Sequence, residues 1–254
     1  MGKATAERLI KEGYIVYGGD IAVEKNQYLD KIGGHSIALD VTKDDQVQAA
    51  VDRVMKEQGK IDVLYNNAGF GQMGTNEETT MEDYQAIFDV NFYGYVRMVK
   101  AVLPYMRAQK SGRIINTTSM GGKIYFPLAG PYHATKHALE GWLDVLRLEV
   151  KGFNIKVVII EPGLINTGFY EVTEKYRQKY QKNSAYGYIF DPIANAPLPK
   201  MSEPDVIAKV VSKAIAKKNP KTRYVKGKNG EMLICMRGIL GDKMYDRIIM
   251  SQLK

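Results

Sequence analysis

The chain has 254 residues, 45% hydrophobic and 25% charged, the balance of an ordinary globular α/β protein. Its one cysteine, Cys235, excludes an internal disulfide framework and a cysteine-rich metal site, so no metal is expected and the thiol reads as a packing residue. No apolar run approaches the roughly 18 residues of a membrane span, and the N-terminus is a polar helical stretch, so cytoplasmic residence is the expectation.

Taken in chain order, Lys3 to Ile10 reads as a helix and Tyr14 to Gly19 as an apolar strand closed by Asp20. A shorter strand at Ser36 to Leu39 precedes Asp40-Val41. Thr42 with Asp45 resembles a capping box for a helix at Lys43 to Gln58. The strand Asp62 to Asn66 runs into Asn67-Ala68-Gly69, and an amphipathic helix over Met81 to Arg107 carries Asn91 and Gly94. Arg113 to Thr118 is a strand ending at Ser119. Pro131 to Lys151 is a helix, and Lys156 to Glu161 a strand that leads to Pro162-Gly163 and Thr167. Ser202 before Pro204 marks the start of a helix to Lys217, and Arg223 to Lys226 is a weak strand. The strands are almost continuously apolar, which suits parallel strands covered on both faces. Alternation with helices predicts one three-layer Rossmann-like α/β domain over 1–254, with a doubly wound parallel sheet.

Asn166 to Lys200 breaks the alternation. It is long, rich in tyrosine and ends among prolines, so it reads as a partly helical substrate cover. The net charge of +8 lies mostly between Met201 and Lys254. A basic C-terminal extension over 227–254 suits either a solvated helix face or a peripheral contact with an anionic membrane. No motif points to nucleic acid.

Tyr132 and Lys136 stand four apart on a predicted helix and share one face. An ammonium beside a phenol loosens its proton for exchange with a substrate oxygen. The same spacing recurs at Tyr224 and Lys228 without companions, so only the ordered ensemble carries weight. That ensemble is Asn66-Asn67-Ala68-Gly69, Asn91 with Gly94, Ile114 to Ser119, Tyr132 with Lys136, and Pro162-Gly163 before Thr167. Together these residues resemble the short-chain dehydrogenase/reductase family over almost the whole chain, most of all its retinol- and hydroxysteroid-dehydrogenase-like branch.

The resemblance implies an NAD(P)-dependent oxidoreductase that interconverts an alcohol and a ketone or aldehyde. Tyr132 would exchange the proton, Lys136 would lower the phenol's pKa and bind the nicotinamide ribose, Ser119 would polarise the substrate oxygen, and Asn91 would anchor a water. His133 and His137 sit beside the motif and read as substrate-side or surface residues. The resemblance further implies cofactor contacts at Gly2, Asp20, Asp40, Val41, Asn67, Ala68, Gly69, Pro162, Gly163 and Thr167, and a homodimer or homotetramer. Asp20 after the second strand suits both hydroxyls of an adenosine ribose and would repel a 2′-phosphate, which favours NAD over NADP. Phe126-Pro127-Leu128, Phe169-Tyr170 and the tyrosine-rich segment suit an apolar carbonyl or alcohol substrate.

One departure stands out. The family opens on a strand and a TGxxxGxG turn, and Met1-Gly2 aligns with the end of that turn. The first strand and most of the phosphate cradle are therefore missing from the chain. The expectation is that Met1 is an internal methionine and that the chain as given binds dinucleotide poorly. Without that strand the sheet should show a gap of about 10 Å, or re-pair. The rival reading is a non-catalytic dinucleotide-binding or regulatory protein of the same fold.

Overall fold

The computed structural model describes residues 1–253. In chain order the elements are α1 (Gly2–Lys11), β1 (Tyr17–Asp20), α2 (Tyr28–Lys31), β2 (His35–Ala38), α3 (Asp44–Gln58), β3 (Val63–Asn66), α4 (Met81–Phe88) and α5 (Gly94–Gln109). Then come β4 (Gly112–Thr117), α6 (Gly130–Glu149), β5 (Ile155–Pro162), α7 (Phe169–Gln181), α8 (Gly187–Asn195), α9 (Asp205–Ala216), β6 (Arg223–Lys226) and α10 (Gly230–Ser251).

Every strand pairing is parallel. β3, β4, β5 and β6 form one sheet in that order, and β1 with β2 forms another. Successive residues of β4 and β5 point to opposite faces, and both faces are buried. Ile114, Val157 and Ile159 join a core with Val99, Val102, Leu139 and Leu143 of α5 and α6. Ile115, Val158 and Ile160 join a second core with Leu9 of α1 and Ile207 and Val211 of α9. The three layers follow from this alternation alone.

Of the two outcomes expected for the sheet, separation is the one found. Among the described residues β1 pairs only with β2, and β3 only with β4. Val16 next to β1 and Val63 and Tyr65 of β3 nevertheless pack on the same core as Leu9. Both halves of the sheet thus lean on α1.

Several local expectations change. Lys43, not Thr42, is the N-cap of α3 and no side chain caps it. The Thr42 hydroxyl donates instead to Asp40 (2.7 Å), closing the turn after β2. Ser202 does not cap α9, whose N-cap is Pro204. Its backbone bridges to Ile165 instead. The predicted helix over Met81 to Arg107 is broken by a five-residue π-helical turn, Asp89–Tyr93, between α4 and α5. Such turns are rare insertions that cluster at functional sites. Asn166 to Lys200 is partly helical, as α7 and α8.

The C-terminal extension is a helix, α10, broken at Gly241 (φ 66°). It is more than a basic tail, because Tyr245 and Ile249 are buried against Met120 and Ile124 in the loop after β4. Cys235 is exposed on this helix, contrary to a packing role.

Candidate active site

The carboxyl ends of β3, β4 and β5 deliver Asn67, Ser119 and Pro162 to one region, and α6 brings Tyr132 and Lys136 against it. Ser119 is the N-cap of a short turn, Met120–Gly122, and its Oγ accepts the Gly121 N–H (3.0 Å). A side chain on Gly121 would sit 3.2 Å from the Tyr132 ring, so the turn lies directly on the phenol. The hydroxyl of Ser119 comes near that of Tyr132 and favours its ionisation. Burial dominates, however, and pushes the phenol up to about 12.

Lys136 is 4% exposed, and its Nζ donates to the Thr117 carbonyl (3.1 Å). The Tyr95 hydroxyl donates to the same carbonyl (3.0 Å). Nζ lies 5.8 Å from the centre of the Tyr132 ring, so the pairing read from the sequence is formed. Burial drives the ammonium down to about 7, with Glu140 on the next turn opposing.

Asn91 is fully buried within the π-helical turn. Its Oδ1 accepts the Phe70 N–H (3.0 Å) and its Nδ2 donates to the Phe70 carbonyl (2.9 Å). The amide thus holds the turn after Asn67-Ala68-Gly69. Replacing Asn91 with leucine leaves two backbone groups of Phe70 unpaired, at about 1–3 kcal/mol each. A calorimetric scan should show a melting temperature lower by the order of 10 °C. An unchanged melting temperature would remove Asn91 from this role.

His133 is not a surface residue. It is buried, its Nδ1 meets the Gly121 carbonyl (2.8 Å), and its Nε2 accepts the Phe126 N–H (2.9 Å). Only a neutral ring protonated at Nδ1 satisfies both partners, and burial lowers its pKa accordingly. The sequence position beside Tyr132 gave no hint of this bracing of the loop from Ser119 to Leu128. His137 is exposed, as expected.

The segment after β5 packs against the phenol. Phe169 at the start of α7 packs edge-on against Tyr132, with ring centres 5.4 Å apart. A side chain on Gly71 would collide with Phe169 and Thr173. Phe70 stacks on Tyr176 of the same helix (5.9 Å). The side chains packed around the phenol on this side are therefore aromatic. Thr167 serves the helix start, its hydroxyl accepting the Phe169 N–H (3.3 Å).

The remaining candidates spread along the strand ends. The first turn of α1 has no side-chain cap and no acidic residue, so its N–H groups are free for an anion. Gly2 faces Asn67 there, since a Cβ on it would come 3.0 Å from the Asn67 amide. Ala68 and Gly69 are exposed. The exposed carboxylate of Asp20, at the end of β1, accepts the Ala22 N–H (2.9 Å). Asp40 accepts from Thr42, and the Val41 side chain packs on Gly94. Pro162 is buried at the end of β5, and Gly163 has a packing reason of its own: a Cβ there would meet the Lys228 carbonyl at 2.3 Å. With the uncapped first turn of α1, these residues suit a dinucleotide.

Comparison with known proteins agrees with this geometry. A family model described as short chain dehydrogenase matches residues 1–178. A 3-ketodihydrosphingosine reductase of Bacteroides thetaiotaomicron is 45% identical over 168 residues, 66% of this chain and 61% of that protein. The match therefore spans under two thirds of that reductase. An NADPH-dependent 3-dehydrocapnine reductase of Ornithobacterium rhinotracheale is 30% identical over 100% of this chain and 94% of its own. Among solved structures, a short-chain dehydrogenase of Streptomyces avermitilis superposes with a TM-score of 0.74 at 27% identity, covering 98% of this chain and 94% of that one. The chain belongs to the short-chain dehydrogenase/reductase family and is a nicotinamide-dependent oxidoreductase.

Proposed function

We propose that the protein reduces an apolar ketone or aldehyde to the alcohol, with Tyr132 as the proton donor. The observation that carries this is the Tyr132 environment: a phenol held up to about 12 by burial, with Phe169 packed on it and Phe70 stacked on Tyr176 of the same helix. A phenol of that kind is fully protonated at neutral pH, the state that donation to a developing alkoxide requires. Alcohol oxidation needs the phenolate, whose population rises about tenfold per pH unit below that value. The two directions should therefore diverge in pH dependence, with oxidation gaining as pH rises.

When bound, the nicotinamide supplies the hydride. The chain's share is orientation and proton management. Ser119 holds the substrate oxygen toward the phenol. Lys136 places a positive charge behind the ring and biases Tyr132 toward release of its proton. Asn91 and Thr117 hold Lys136 and the Gly69–Phe70 turn in register. The aromatic wall excludes water and fits an apolar chain or ring on the substrate. The two curated relatives, a 3-ketodihydrosphingosine reductase and a 3-dehydrocapnine reductase, are named for reductions of this kind.

Asp20 supports NAD(H) as the preferred cofactor, because its carboxylate would face a 2′-phosphate at the end of β1. The NADPH dependence named for the 3-dehydrocapnine relative is the opposing indication. Asp20→Asn should raise the NADPH-to-NADH ratio of kcat/KM by about tenfold, the worth of one interaction near 1.4 kcal/mol. An unmoved ratio would take Asp20 out of cofactor selection. The whole reading is tested by following nicotinamide absorbance over a panel of ketones and aldehydes graded from polar to long-chain. Reduction should be fastest for the apolar members. Turnover of none of them, together with tight binding of the cofactor, would favour the non-catalytic alternative.

A further inference from the structure

A cavity of about 450 Å³ lies between the loop after Ser119 and the end of α10. Phe126, Pro127 and Leu128 line it from the loop, Ile249 and Met250 from the helix, and Gly74 from the segment after β3. Ser119, Tyr132 and Phe169 do not line it, so the chemistry above leaves it without a use. Its size falls in the range of about 300–1,000 Å³ usual for small-molecule sites.

The polar side chains along it already have partners. His133 meets the Gly121 carbonyl and the Phe126 N–H with its two ring nitrogens. The Tyr125 hydroxyl donates to Asp246 (2.7 Å), and the Tyr84 hydroxyl donates to Asn76 (3.0 Å). The surface left for an occupant is mainly apolar, so it suits a hydrocarbon.

The loop wall is held in a costly shape. Leu128 has a φ of 67°, in the left-handed region that a bulky side chain rarely adopts. Its carbonyl accepts the Gly74 N–H (2.7 Å), and its side chain is buried with Tyr180, Ile189 and Phe190 of α7 and α8. Strain of this kind persists where its surroundings over-determine it, and it clusters at ligand sites.

The cavity also begins one residue from the proton donor. His133 lines it, and its ring stands edge-on to that of Tyr132 with centres 5.9 Å apart. We propose that the cavity holds the unbranched alkyl chain of a substrate whose carbonyl lies at Tyr132, and that α10 thereby sets chain length. The substrate class is a long-chain ketone or aldehyde. At about 30 Å³ for each water-sized group, the space takes roughly ten to fifteen chain carbons. Each methylene removed from water there contributes about three- to fourfold in affinity.

The proposal rests on the reductase reading of the site, so one measurement uses turnover and one does not. Across methyl ketones of roughly four to sixteen carbons, kcat/KM should climb about three- to fourfold per methylene and level off as the cavity fills. Met250 is 41% exposed, so Met250→Trp fills part of the space at little cost to the fold. The variant should lower, by about tenfold, the ratio of kcat/KM for a ketone of about twelve carbons to that for butanone. A flat chain-length series, or a ratio that the variant leaves unmoved, would overturn the chain site. Titration calorimetry with decanol should show binding to wild type and about tenfold weaker binding to the variant. Equal affinities, or no binding, would overturn it as well. If wild type reduces no carbonyl while decanol binds and the variant weakens it, the reductase reading alone fails and the cavity keeps its hydrocarbon ligand.

Discussion

Replacing Tyr132 by phenylalanine is expected to cut carbonyl reduction by a factor of about 10²–10⁴ while leaving the fold intact, the usual worth of a positioned general acid. The two halves of that expectation have separate origins. The phenolic oxygen faces only the Ser119 hydroxyl, which keeps its bond from the Gly121 N–H when the phenol is gone. Its removal therefore strands no partner. The ring, by contrast, packs edge-on against Phe169 and against His133, contacts that phenylalanine keeps. The melting temperature should stay within about 2 °C of wild type, the shift of a sub-kcal/mol change in a domain of this size. Rates are read from nicotinamide absorbance in both directions. A Tyr132→Phe variant that reduces its best carbonyl at the wild-type rate would end the assignment of Tyr132 as the acid.

How far the sequence carried depends on what kind of signal each feature leaves. β4 and β5 were legible because a strand buried on both faces must be apolar at nearly every position, as Ile114-Ile115 and Val157 to Ile160 are. The Tyr132–Lys136 pairing was legible because a helix of 3.6 residues per turn brings such positions together. The turn at Asp89–Tyr93 was not, since a single π-helical insertion shifts the hydrophobic stripe by less than one residue's worth of pattern. α10 was hidden for a different reason. Its apolar and charged residues are spread around the helix and it carries Gly238 and Gly241, so it shows neither a clean stripe nor a clear end. Yet Tyr245 and Ile249 buttress the loop that carries Ser119. Glu140 and Glu161 look like solvated carboxylates in one dimension, and only the meeting of α6, β5 and β6 shows that both are buried. Side chains whose role depends on another element leave no local trace.

Lys136 carries the second large effect, and it runs in opposite directions for activity and stability. Replacing it with methionine, of similar length, should lower carbonyl reduction by about 10²–10⁴ because the charge behind the phenol is gone. The same change should stabilise the fold at neutral pH. The Thr117 carbonyl that Lys136 binds keeps its bond from the Tyr95 hydroxyl, so no acceptor is orphaned. The variant also relieves the burial of a cation, a cost that the fall of Lys136 to about 7 reports. The pH dependence gives the sharper test. Unfolded, the lysine holds its proton to 10.5; folded, only to about 7. Between those values the unfolded state binds more protons, so wild-type stability climbs with pH. The methionine variant has no such slope. Its advantage should be full below about pH 7 and should shrink as pH approaches 10.5. Thermal melts of both proteins across that range decide the matter. A methionine variant less stable than wild type at neutral pH would mean that the ammonium holds this site together, and a variant with wild-type turnover would remove Lys136 from the chemistry.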